Sequence, residues 1–253
     1  MGDVLICLPS SIVTANATLS LTAGTANAAF PLDNLKDGNP AKPFKATGTS
    51  CTIRATFGGS TTLRGIAFGP HNLAGATVAI SNNGGMGSTS FPIPANREDG
   101  LSTDPFLQFT ASSATQWTIT ITGAAANVAI GELYLIVSFQ TIELLLGAQE
   151  AEAHKTIAHQ TDYGNKTVLW LGVSQRRVRG TVQLNNNIAT YLSQARDARG
   201  QTRPFILIMN AVVNDAMCVD LTTDERTVTW QTPASELGLL ELEFLERQRG
   251  PAL

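Results

Sequence analysis

The sequence predicts a mainly β protein in two parts. These are an N-terminal jelly-roll β-sandwich over residues 1–138 and a C-terminal β-barrel or sandwich with one packed helix over 139–253. Three observations predict it. Apolar residues make up 43% of the 253 residues but charged ones only 15%, with 22 Gly and 11 Pro among abundant Thr, Ser and Asn. That balance suits short strands and tight turns and falls below the ~25% charge of ordinary soluble domains. Short runs alternate polar and apolar residues at the period of a pleated strand. Charge density then rises near residue 138: 6 Lys+Arg and 7 Asp+Glu precede it, and 11 and 13 follow.

The elements follow in order. Val4 to Leu8 is apolar, but Asp3, the lack of a basic flank and the break at Pro9 argue for a first strand and turn over a signal peptide. Thr52-Ile53-Arg54-Ala55-Thr56-Phe57 sets Ile53, Ala55 and Phe57 on one face, and the run from Gln116 to Thr122 does the same for Trp117, Ile119 and Ile121. Further strands are expected at 63–68, 77–81, 106–109 and 130–137, divided by Gly58-Gly59, Asn82-Asn83-Gly84-Gly85 and Ala95-Asn96. In the second half, 167–171 and 177–184 suggest a hairpin around 172–175. Asn187 can cap a helix over about 187–199 that carries Ile188, Tyr191, Leu192 and Ala195 on one side, with Gly200 to end it. Strands are expected at 205–209, 217–221, 227–231 and 239–246. The last sets Leu240, Leu242 and Phe244 against Glu241, Glu243 and Glu246, a dry face and an acidic one.

Function classes fall away in turn. A net charge of −3 does not suit a nucleic-acid partner, and no apolar run approaches the ~18 residues of a membrane span. Cys7, Cys51 and Cys218 form no CxxC pair and read as reduced, buried thiols. There is no nucleophile elbow, phosphate loop or zinc-protease helix motif. His154 and His159 are five apart, on opposite faces of a strand, and the pairs Glu98-Asp99 and Asp224-Glu225 sit in polar turns beside arginines. No catalytic residue, metal or cofactor is therefore assigned. Trp117, Trp170 and Trp230 have apolar neighbours at i±2 and read as core.

Two sets of residues remain as candidates. His71, Asn72, Asn82 and Asn83 fall at strand ends, where a sandwich meets ligands. Arg176, Arg177 and Arg179 form the densest basic cluster, and Glu241 and Glu243 offer a complement, within the chain or on another copy.

The first half resembles the galactose-binding-like, or discoidin-type, domains. The resemblance runs through Asn34-Leu35-Lys36-Asp37-Gly38, Ile53 to Gly58, Leu63 to Phe68, Val78 to Gly84 and Ile130-Gly131-Glu132-Leu133-Tyr134-Leu135, over about residues 28–137. It implies a glycan- or lipid-headgroup-binding sandwich. It also implies that some members hold a structural calcium at the positions of Asp37 and Glu132. The loops show no evident sugar-stacking aromatic or basic residue.

The second half is similar to the tail-tube-like barrel of phage distal tail proteins. The shared order is a hairpin, a helix, the strand Arg203-Pro204-Phe205-Ile206-Leu207-Ile208 and a closing strand from Leu240 to Glu246. That resemblance implies a virion structural subunit of the tail tip or baseplate, assembled in the host cytoplasm. It would form a ring with copies of itself and contact other tail-tube and baseplate proteins, with a host surface glycan as a further partner. The alternative expectation is a glycan-binding or receptor-recognising module.

Overall fold

The computed structural model describes residues 3–39, 41–95, 105–143, 149–153, 156–160, 166–170, 175–184, 205–210, 215–221, 228–230 and 238–246. The chain is mainly β. Its strands are β1 (Asp3–Cys7), β2 (Thr18–Ala23), β3 (Phe44–Lys45), β4 (Cys51–Phe68), β5 (Thr77–Asn82), β6 (Thr89–Pro92), β7 (Phe106–Thr122), β8 (Ala129–Ile130) and β9 (Leu133–Ile136). They continue as β10 (Gln140–Glu143), β11 (Gln149–Ala153), β12 (Thr156–Gln160), β13 (Lys166–Trp170), β14 (Gln175–Leu184), β15 (Phe205–Asn210), β16 (Asp215–Leu221), β17 (Val228–Trp230) and β18 (Gly238–Glu246). Three short 3-10 turns, Pro9–Ser11, Thr14–Asn16 and Leu32–Lys36, lie in the first half. The helix expected over 187–199 lies outside the described residues.

One sheet of the sandwich runs β2-β4-β7-β5-β6, with β9 added to the C-terminal part of β4. Period two holds as written in the sequence. Ile53, Ala55 and Phe57 of β4 and Trp117, Ile119 and Ile121 of β7 are buried, while Thr52, Arg54, Thr118 and Thr120 face outward. Burial of these β-branched and aromatic side chains supplies the driving force, at about 25 cal/mol per Å². The four separate strands expected at 52–57, 63–68, 106–109 and 116–122 are two long ones. Register breaks between Thr56 and Thr61 and between Leu63 and Gly65 absorb the Gly58-Gly59 punctuation as bulges.

The second sheet runs β10-β1-β15-β16-β18-β14-β11, and β17 also pairs β18. Two expectations change here. Asp3–Cys7, placed by the 138/139 boundary with the first half, lies between β10 and β15 of the second sheet. An apolar strand buried on both faces takes whichever ladder leaves no edge, and local sequence does not say which. The expected 167–171/177–184 hairpin is not formed: β13 pairs β12, while β14 pairs β11 and β18.

A second apolar cluster joins the halves. Cys7 and Ile12 meet Ala67, Phe106, Tyr134 and Ile136 of the sandwich and Ile206 and Ile208 of β15. Segment 11–14 is stapled along β9. The Leu135 amide donates to Thr14 Oγ1 at 2.8 Å, Val13 donates to the Leu135 carbonyl at 2.9 Å, and Ser11 and Ser138 share a hydroxyl hydrogen bond of 2.7 Å. Gly65 is required beside this seam, because a Cβ there would stand 2.8 Å from the Phe106 ring.

Candidate functional site

The sandwich's second layer is a ladder of short segments. Ala26 bridges Ala46, β3 pairs β8, and His71 bridges Ile130. Phe44, Ile130 and His71 turn inward and are buried. The His71 ring meets Phe68 edge-on, and its Nδ1 accepts the Leu73 amide at 3.0 Å. His71 is therefore a fixed core residue at a strand end.

Asn72 clamps two neighbours. Its Nδ2 donates to the Asn127 carbonyl at 2.7 Å, and its Oδ1 accepts the Ala129 amide at 2.9 Å. Lys45 stands opposite Ala129, receives the Asn27 amide on its carbonyl, and donates its own amide to the Phe30 carbonyl. Its ammonium lies 4.5 Å from the centroid of the Phe30 ring. Such a cation over an aromatic face is worth roughly 0.5–1 kcal/mol when exposed. Sequence reasoning missed this pair. Phe30 precedes Pro31 in the stretch that carried the resemblance, and only the fold brings it to Lys45.

Asn82 and Asn83 sit elsewhere and are likewise engaged by the chain. Asn82 Oδ1 accepts the Gly84 and Met86 amides, and its Nδ2 donates to Ser112 Oγ at 2.8 Å. Asn83 Nδ2 donates to Thr115 Oγ1, and its Oδ1 accepts the Gln116 amide. Both side chains fasten the turn onto β7. Gly84 lets the turn seat, since a Cβ there would lie 2.2 Å from the Ser113 carbonyl oxygen.

Near the ladder, Glu132 is only 3% exposed although it carries a carboxyl group. Its backbone is held by Gly69, whose amide donates to the Glu132 carbonyl at 2.9 Å. Burial, and then the charge of Asp37 and a hydrogen bond with it, push Glu132 from its ordinary 4.5 up to about 8. The backbone of Gly38 and Asn39 pulls the other way. Glu132 Oε1 has no hydrogen-bond partner. Asn39 also donates its amide to Asp37 Oδ1 at 2.8 Å.

The resemblance implies calcium at Asp37 and Glu132, and calcium takes about six to eight oxygen ligands, backbone carbonyls among them. The Asn39 amide donates to Asp37 Oδ1, and among the described residues no three His, Cys, Asp or Glu gather as a metal set.

In the second sheet, the basic cluster meets the acidic strand within one chain. Arg179 stands opposite Glu243, Thr181 opposite Glu241, and Arg176 opposite Glu152. Arg177 Nε lies 3.6 Å from Glu243 Oε1. Arg177 and Arg179 are exposed, while Val178 and Leu242 face the dry side. Exposed pairs of this kind contribute about 0–1 kcal/mol.

Cys7 and Cys51 are free and buried. Burial pushes the Cys7 thiol far up and the Cys51 thiol to about 11, so neither is a ready thiolate. The pairs Glu98-Asp99 and Asp224-Glu225, and His154, lie outside the described residues. No helix among the described residues is long and apolar enough to cross a membrane.

No protein-family model matches the chain, and no curated protein does. Solved structures do resemble it. The family 32 carbohydrate-binding module of Clostridium perfringens NanJ, in complex with galactose, is 17% identical with a TM-score of 0.40, over 51% of this chain and 97% of that one. A chitosan-binding module from a chitosanase/glucanase of Paenibacillus sp. IK-5 is 16% identical with a TM-score of 0.38, over 50% and 98%. SpGH29 is 17% identical with a TM-score of 0.41, and the match spans 52% of this chain but only 29% of SpGH29. Over about half the chain, the structures it is similar to thus include carbohydrate-binding modules.

Proposed function

We propose that the chain is a non-catalytic recognition module, which holds a glycan against the short ladder around Phe30, Lys45, Asn72 and Asn127 while the second sheet anchors it. The observation that supports this reading is the connected set Phe30–Lys45–Ala129–Asn72–Asn127, each member joined to the next by ladder register, a hydrogen bond or a ring contact. An aromatic face suits the C–H surface of a sugar ring, and an ammonium beside it can donate to hydroxyl groups. Loops already locked together lose little freedom when a ligand arrives. No step in this reading makes or breaks a covalent bond.

A glycan array followed by calorimetry on the full chain tests it. Binding is expected to weaken about tenfold in Phe30→Ala and in Lys45→Ala, while melting temperatures stay close to wild type. Failure of the array to return any ligand overturns the reading.

A second reading is a tail-tip subunit that assembles as a symmetric ring. Ring-shaped particles in electron micrographs of the purified protein support it, and a monomer at every concentration removes it.

A further inference from the structure

We propose that Asn83-Gly84 is a latent site of spontaneous modification, loss of the Asn83 side-chain amide through a cyclic imide, which the fold guards through Asn82. It is the one Asn-Gly pair in the sequence. In such a pair the glycine nitrogen gives up its proton and bonds to the asparagine side-chain carbonyl carbon. The bond from that carbon to Nδ2 breaks, ammonia leaves with the proton, and a five-membered imide remains. Water then opens the ring at either carbonyl. The product is aspartate, or its isomer with the backbone routed through the side chain. Glycine in second place favours the step, because no Cβ hinders the approach of its nitrogen.

The fold demands both residues. A Cβ at Gly84 would collide with the Ser113 carbonyl oxygen, so no larger residue seats the turn. Asn83 extends the ladder by one rung: its backbone amide donates to the Gln116 carbonyl at 3.2 Å, and its Oδ1 accepts the Gln116 amide at 3.0 Å. Its Nδ2 donates to Thr115 Oγ1 at 2.9 Å. Both residues are exposed, so water reaches them. What holds the reaction back is the placing of the two atoms that must meet. The Asn83 carboxamide is clamped to β7 by both of its polar atoms. The Gly84 amide proton is taken by Asn82 Oδ1 at 2.9 Å, an oxygen that also accepts the Met86 amide at 3.1 Å, while Asn82 Nδ2 is fastened to Ser112 Oγ at 2.8 Å. An intramolecular attack needs its two atoms in near-attack geometry, and here both are tied elsewhere. Modification therefore waits until the turn opens from β7. Once made, it removes the Nδ2 donor to Thr115, and the isomer adds a backbone carbon, so the turn no longer rejoins β7 in register.

Incubation of the full chain in mildly alkaline buffer tests the proposal, with peptide mass spectrometry following the mass gain at position 83. Each rate is taken relative to the same chain in guanidinium chloride, which removes effects of local sequence. Native wild type is expected to react at least about tenfold more slowly than the denatured chain. Asn82→Ala, shown to be folded by circular dichroism, frees the Gly84 proton and should lose most of that protection. Asn82→Asp keeps an oxygen for the Gly84 and Met86 amides and should retain it. Hydrogen exchange at Gly84 in wild type needs no variant, and its protection should match that of Asn83. Equal native and denatured rates in wild type overturn the proposal. So does a folded Asn82→Ala that reacts no faster than wild type, an Asn82→Asp that reacts as fast as the denatured chain, or a Gly84 amide that exchanges freely while Asn83 survives.

Discussion

The sandwich core and the seam are both apolar, but they are built differently. The sandwich core is long-range yet contained within residues 17–135, and it centres on fully buried Trp117, Phe44 and Phe68. The seam is a small cluster that draws Cys7, Phe106, Tyr134, Ile136, Ile206 and Ile208 from strands far apart in the chain. The first core makes a fold; the second makes an orientation. Loss of a side chain from the first should cost global stability, whereas loss from the second should free one half from the other.

The largest effect is expected for Trp117→Ala, which removes a fully enclosed ring packed at 5.5 Å from Phe109. Chemical denaturation should report a loss of about 3–5 kcal/mol, with the sandwich unfolding first. A loss below about 1 kcal/mol would put the centre of the core elsewhere. Next is Ile206→Ala in the seam, about 2–3 kcal/mol. Its distinguishing readout is limited proteolysis: cleavage between the halves should accelerate while the sandwich fragment stays folded. Simultaneous digestion of both halves would erase the distinction between core and seam.

A third effect is a pH dependence confined to the sandwich. A carboxyl whose pKa is raised in the folded state binds its proton more tightly there than in the unfolded chain. Its contribution is therefore favourable at low pH and is lost as pH rises from about 4.5 to about 8. Wild type should lose stability across that window, and Glu132→Gln should flatten the slope. An unchanged slope in the variant assigns the titration to another group.

Much of the sandwich is legible in the sequence, because period two is a local property: the inward faces of β4 and β7 follow directly from Ile53, Ala55, Phe57, Trp117, Ile119 and Ile121. Partner choice is not local. Nothing in Val4 to Leu8 says that its ladder lies with residues more than a hundred positions away, and nothing in Thr167 to Leu171 favours β12 over β14. The candidate loops show the same limit. Asn72, Asn82 and Asn83 are visible as polar strand-end residues, but their amides are engaged by backbone and hydroxyl groups that only the fold brings near. Phe30 and Lys45 escape a sequence reading because Phe30 ends the Asn27–Phe30 turn while Lys45 lies in a two-residue strand, and only the fold sets one over the other.

The pairing of Ile6 with Gln140 places the exit of β1 beside the entrance of β10. Residues 8–139 thus leave and re-enter the second sheet at one spot. A pull on the sandwich would draw both strands in the same direction, leaving the β1–β10 pair unstressed and loading Leu5, Ile6 and Cys7 against Ile208, Leu207 and Ile206 in shear. In shear the hydrogen bonds of a ladder stretch together instead of parting one by one. The attachment is mechanically stiff along the axis of β1.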